Sequence, residues 1–152
     1  MVREADEKDL DEILKLYLYL HEKSIPADTE HLRNTWKNII NDLNHHLIVC
    51  EVDGKIVASC VCVVIPNLTR NVRPYAFVEN VVTHVEHRKK GYATACLNFA
   101  NDNTFNSSTS HKSLHLLSAY IISDVYRHEY LHAYTSAIWT QSYLRSGAFA
   151  GE

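Results

Sequence analysis

The chain has 152 residues, of which 46% are hydrophobic and 22% charged, and a formal net charge of -3. That length suits a single domain with a real core, and the composition is that of an ordinary globular protein. The slight negative charge argues against bulk nucleic-acid binding, no apolar run is long enough to span a bilayer, and the acidic start Met1 to Glu7 is unlike a signal peptide.

Val2 to Glu4 reads as a short first strand, and Asp6 as a helix N-cap with Asp9 three residues on. Leu10, Ile13, Leu14, Tyr17 and then Leu20 or His21 recur at helical spacing, until Ser24-Ile25-Pro26 breaks the pattern. A second helix is expected over residues 29 to 42, with Leu32, Trp36, Ile39 and Ile40 turned inward. Residues 47–52 and 55–65 read as two strands joined by Asp53-Gly54, a dipeptide suited to a type I′ hairpin turn. The second strand is apolar almost throughout, so both its faces should be covered. Pro66 ends it, and residues 67–74 read as a loop carrying Arg70 and Arg73. Cys50, Cys60, Cys62 and Cys96 form no C-x-x-C pair. They fall in apolar runs or on an apolar helix face, which fits buried free thiols and a reducing, cytoplasmic setting.

Residues 76–100 organise the rest. Phe77, Val78, Val81 and Val82 mark a strand, whereas Ala93, Cys96, Leu97 and Ala100 fall at i, i+3, i+4 and i+7 of a helix. Between them lies Arg88-Lys89-Lys90-Gly91-Tyr92-Ala93. A helix start offers unpaired N–H groups and partial positive charge, which suit a phosphate. Gly91 lets an anion approach the backbone, and the three cations add charge around it. These cations could merely solvate a loop, but that leaves the glycine unexplained.

Arg88-x-x-Gly91-x-Ala93, after an apolar strand carrying Glu79, resembles the R/Q-x-x-G-x-G/A motif of the GNAT superfamily of acyl-CoA-dependent N-acyltransferases. It is neither the dinucleotide fingerprint nor a P-loop. The resemblance covers about the first two-thirds of the chain. It implies one α/β (α+β) domain over residues 1–152, with a mixed, mostly antiparallel sheet flanked by helices. The activity it implies is transfer of an acetyl group from acetyl-CoA, the co-substrate, to a primary amine of a small molecule. Arg88, Lys89, Lys90, Gly91, Tyr92 and Ala93 would hold the cofactor, together with the backbone N–H groups of Val81 and Val82. The first two helices would flank the acceptor entrance, where Tyr17, His21 and Trp36 are candidates for its lining, although each reads more simply as core or surface. Family members are often dimers, and the sequence leaves a homodimer open.

The reaction needs a base for an ammonium group, donors for an oxyanion and an acid for a thiolate. Glu79, a carboxylate in an otherwise apolar strand, is the candidate base; the competing reading pairs it with Arg70 or Arg73. Tyr130, with Tyr126 in reserve, is the candidate acid, against plain packing.

Residues 101–152 match the family poorly: nine serines follow Ala100 where only Ser24 and Ser59 precede it, and Tyr134 stands where the family glycine after Tyr130 would be. Residues 101–113 read as a loop, 114–122 and 135–140 as strands, and 125–133 as a helix. A divergent member and a tail altered by a reading-frame change both remain open. So do two other functions. One is a non-catalytic acyl-CoA-binding module. The other is a zinc metalloprotease through His128-Glu129-Tyr130-Leu131-His132, which has H-E-x-x-H spacing but lacks a third ligand in the usual downstream place. No metal is therefore expected. His45-His46, His84-x-x-His87 and His111-x-x-x-His115 read as surface histidines.

Overall fold

A tight hairpin holds the middle of the sheet. In the computed structural model, which describes residues 1–20, 22–72 and 74–106, β2 (His45–Val52) and β3 (Lys55–Ile65) run antiparallel around Asp53-Gly54. Both turn residues have positive φ, 51° and 74°, as a type I′ turn demands. β1 (Val2–Glu4) pairs with β2, and β4 (Tyr75–Thr83) with β3, giving an antiparallel sheet in the order β1-β2-β3-β4. The fold is thus a mixed α/β one: an antiparallel sheet flanked by helices.

β3 is covered on both faces, as its apolar run requires. On one face lie Leu47, Val49, Val61 and Val82, packed with Ile13 and Leu16 of α1 (Leu10–Tyr17) and Trp36 of α2 (Glu30–Asn41). On the other lie Ile48, Cys50, Cys60, Cys62 and Val78, placed there by strand register. α4 (Tyr92–Asn106) packs against β3 and β2 through buried Ala93, Cys96, Leu97 and Ala100, the four residues whose spacing predicts that face. All four cysteines are buried and free. Burial pushes the Cys96 thiol up to about 12, with Cys50 adding to the shift, and drives Cys60 higher still beside Cys96 and Cys62. These thiols are packing groups, not nucleophiles.

The caps follow the sequence. Asp6 and Asp9 close a capping box around the short 3-10 turn Glu7–Asp9, and Thr29 Oγ1 accepts the Leu32 N–H at 3.2 Å to start α2. Three expectations are corrected. Leu16, outside the expected apolar set, is one of the two buried residues of α1, whereas Leu14 is only half-buried; the face pressed on the sheet runs through Ile13, Leu16 and Tyr17, beside Leu14 rather than through it. Residues 69–72 form one helical turn, α3 (Thr69–Val72), inside the expected loop. α4 runs on through residues 101–106, because extending a packed helix costs little even with polar residues. The expected elements at 114–122, 125–133 and 135–140 lie outside the described residues.

Arg3 ties β1 to the start of α1. Its guanidinium donates to both carboxylate oxygens of Asp9, at 2.6 and 3.0 Å, and to Glu51 on β2, while Asp9 also accepts the Asp6 N–H at 2.8 Å. The bond from Arg3 holds the buried Asp9 carboxyl below the usual range, against the opposing effect of burial. Asp9→Asn should cost ~2 kcal/mol in urea unfolding at pH 7, less than the loss of a fully buried pair because Arg3 keeps Glu51. A carboxyl depressed in the folded state stabilises above its unfolded pKa. The gap between wild type and variant should therefore persist down to about pH 4 and fade as the pH falls further.

Candidate active site

β4 carries the irregularity on which the site is built. Opposite β3 it reads Val61↔Glu79 and then Ser59↔Val82, so three steps along β4 match two along β3. This is a β-bulge, and Asn80, at φ 50°, takes the left-handed turn that it requires. In a regular strand residues 79 and 82 would face opposite sides. The bulge puts Glu79 and Val82 on the same face, the one covered by α1. Asparagine tolerates positive φ better than most residues, which explains its place between Glu79 and Val81.

Glu79 is half-buried and has neighbours on this face. Tyr17, from the end of α1, lies near enough for burial first, then Cys60 and the Glu79 carboxylate, to raise its phenol well above its ordinary value. Tyr17 therefore keeps its proton. Ser59, fully buried on β3, has a hydroxyl with no hydrogen-bond partner among the described residues. It lies close enough to Tyr17 to oppose the phenol's shift slightly, yet short of a bond. The site thus gathers a carboxylate, a phenol that stays protonated and an unsatisfied hydroxyl, over an apolar floor.

Past Thr83 the chain leaves the sheet at His84, which caps the 3-10 turn Val85–His87 by accepting the Glu86 N–H on Nδ1 at 3.3 Å. Arg88 Nε donates to the Thr83 carbonyl at 3.4 Å, folding the basic turn back onto the end of β4. Lys89 and Gly91 take φ of 62° and 82°, and the Gly91 carbonyl accepts the Ala95 N–H at 2.9 Å as α4 begins. The first amides of α4 are left without helical partners. A Cβ built at Gly91 would meet nothing within 4 Å, so the space over the turn is open and the glycine is required by conformation rather than by crowding. An exposed basic turn with an open backbone at a helix start is chemically suited to a pyrophosphate.

Not every sequence candidate belongs here. Trp36 is buried and donates its indole N–H to the Glu7 carbonyl at 3.1 Å, a core contact. His21, Arg73, Tyr126, Tyr130 and the His128–His132 pair lie outside the described residues. His45, His46, His84 and His87 are corrected from surface histidines to half-buried ones. His84 Nε2 lies 3.0 Å from the Tyr19 hydroxyl, and His87 Nδ1 is buried without a partner among the described residues. The sequence reading missed Ser59 as a site residue, although a lone hydroxyl inside an apolar strand was the available signal. It also missed Tyr19, which nothing in its spacing set apart.

The acetyltransferase (GNAT) family model matches residues 9–119. The chain belongs to the GNAT acetyltransferase family. The match runs past Ala100, further than the motif reading extends. A putative acetyltransferase from Agrobacterium tumefaciens str. C58 is 28% identical over 91% of each chain, with a TM-score of 0.72. A transcriptional regulator from Bacillus halodurans C-125 is 24% identical over 90% of each, with a TM-score of 0.69. The glucosamine-6-phosphate N-acetyltransferase of Arabidopsis thaliana is 20% identical over 67% of this chain and 71% of its own, with a TM-score of 0.61. No curated protein sequence matches the chain significantly. No helix among the described residues of this acetyltransferase is long and apolar enough to cross a membrane.

Because the strain at Gly91 is conformational, Gly91→Val should destabilise the fold by ~1–2 kcal/mol, and Gly91→Asn by distinctly less, since asparagine visits positive φ more readily. Urea unfolding of the three proteins tests this order.

Proposed function

We propose that the protein transfers an acetyl group from acetyl-CoA to a primary amine of a small molecule. The observation that carries this is the continuity of β4: within fifteen residues the chain provides a carboxylate at a bulge and an open, basic, glycine-turned helix start. Arg88, Lys89, Lys90 and the amides around Gly91, Tyr92 and Ala93 hold the pyrophosphate of acetyl-CoA. Backbone N–H groups of Val81 and Val82, beside the bulge, serve its pantetheine and thioester oxygens. Bound there, acetyl-CoA supplies the activated acetyl group.

The chain's own groups do the rest. Glu79 takes a proton from the incoming ammonium group, directly or through a water, so that the neutral amine attacks. Tyr17 and Ser59 present hydroxyls on the same face to polar atoms of the acceptor. Tyr130 is our candidate to return a proton to the departing thiolate. Support for an amine acceptor comes from the lone carboxylate of β4, and from a structural relative named for an amino-sugar phosphate. The protein acts in the cytoplasm, in keeping with its free thiols.

The test couples binding to turnover. Acetyl-CoA at a hundredfold excess over its Kd should raise stability by about 2.7 kcal/mol, a shift of several degrees in Tm, and Gly91→Val should remove that shift. A panel of primary amines (spermidine, glucosamine 6-phosphate and a dipeptide) should then include one that drives release of free thiol from acetyl-CoA. With that amine, Glu79→Gln should lower turnover by roughly 10²-fold or more and leave acetyl-CoA affinity nearly intact, with partial rescue at high pH, where the amine is already neutral. Binding without thiol release for any amine would favour a non-catalytic acyl-CoA-binding module. No shift at all would refute the reading.

A further inference from the structure

The turn that follows α1 touches two parts of the site at once. After Tyr17 the helix tightens: the N–H groups of Leu18, Tyr19 and Leu20 bond the carbonyls of Lys15, Leu16 and Tyr17 at 3.3, 3.0 and 2.9 Å. This turn follows Tyr17, which packs on the face of the sheet that carries Glu79, and, two residues on, places the Tyr19 hydroxyl 3.0 Å from His84 Nε2. The rings of Tyr19 and His84 also meet edge to face, with centroids 4.7 Å apart. Beyond His84 the contacts continue: its ring lies 5.7 Å from that of His87, which lies 6.0 Å from that of Tyr92, the first residue of α4. An unbroken ladder of rings therefore runs from the acceptor side of the site to the basic turn.

The direction of the central bond follows from the cap. The Glu86 N–H can only donate, so His84 Nδ1 accepts from it, and the proton of the neutral ring sits on Nε2. Nε2–H therefore donates to the Tyr19 oxygen. The same imidazole shapes the approach to the basic turn with one nitrogen and holds α1 with the other.

We infer that Tyr19 and His84 are positioning residues: a clasp through which a basic turn occupied by acetyl-CoA fixes the end of α1, and with it Tyr17, over Glu79. The inference rests on the acetyl-CoA reading above. Occupancy of the turn restrains Tyr92 and the 3-10 turn, these restrain His84, and His84 restrains Tyr19. The acceptor side is then firmest when the activated acetyl group is in place.

Amide hydrogen exchange of the full chain, with and without saturating acetyl-CoA, tests it. In the wild type, acetyl-CoA should slow exchange at Leu18 to Leu20 by about fivefold, the size of one net hydrogen bond. Tyr19→Phe keeps the ring and loses the hydroxyl. His84→Asn keeps a good cap for the Glu86 N–H and is too short to reach Tyr19. Each variant should still show the acetyl-CoA thermal shift but lose the slowing, and the double variant should lose no more than either single one. A purely structural contact would speed exchange equally with and without ligand and leave the fivefold ratio intact, which would overturn the clasp alone. A wild-type melt unchanged by acetyl-CoA would instead refute the functional reading, and the clasp would fall with it.

Discussion

The bulge in β4 is the constraint from which the rest of the site follows. Strand pairing demands that each residue of β4 lie opposite one of β3, and between Glu79 and Val82 that demand is broken by one residue. The break requires a left-handed residue, supplied by Asn80 at φ 50°. It turns Glu79 to the same side as Val82, under α1, and leaves irregular backbone beside the carboxylate. A bulge interrupts a ladder of hydrogen bonds, so it persists only where the surroundings hold it. Here the long β2–β3 hairpin and the helices on both faces do so.

The two faces of the sheet have divided the work. Under α4 the contacts are small and apolar, with four buried thiols, and burial raises the pKa of Cys50, Cys60 and Cys96 among them. Under α1 the same strands carry Ser59 and Glu79 among valines, with Tyr17 above them. Burying an unsatisfied hydroxyl costs free energy. Ser59 faces the same side of the sheet as Glu79, which pairs with Val61 two residues along β3. The Arg3–Asp9–Glu51 group stands away from that chemistry and fixes where α1 begins, and hence which of its residues end up over the bulge.

Much of this architecture could be read from the sequence because the signals were local. Asp53-Gly54 named its own turn, Asp6 with Asp9 its own cap, and the spacing of Ala93, Cys96, Leu97 and Ala100 its own face. The turn into α4 was legible as a glycine turn because Gly91 follows three cations and opens a helix, and it does take a positive φ of 82° there. What stayed hidden depended on register and on contacts between distant segments. The polar pair Glu79-Asn80 between Phe77-Val78 and Val81-Val82 breaks the alternation of β4, but that alone does not say which residue is the extra one until the register with β3 is known. The bond between Tyr19 and His84 joins residues 65 positions apart, and a histidine pair at i, i+3 looks like surface until the strand that precedes it is placed. Leu16 stayed hidden for the same reason: the set Leu10, Ile13, Leu14, Tyr17 and the set Ile13, Leu16, Tyr17, Leu20 both have helical spacing, and only packing on the sheet chooses between the two faces.

The central claim is that the turn from Arg88 to Ala93 is an anion cradle for the pyrophosphate of a coenzyme. Calorimetric titration with coenzyme A and with pantetheine, which lacks the pyrophosphate and nucleotide, tests it most directly. Coenzyme A should bind one per chain with an affinity that falls as salt is raised, and pantetheine should bind at least about a hundredfold more weakly, since it forgoes several charge-assisted hydrogen bonds. Equal affinity for the two ligands, or no binding of coenzyme A at low salt, would contradict the account.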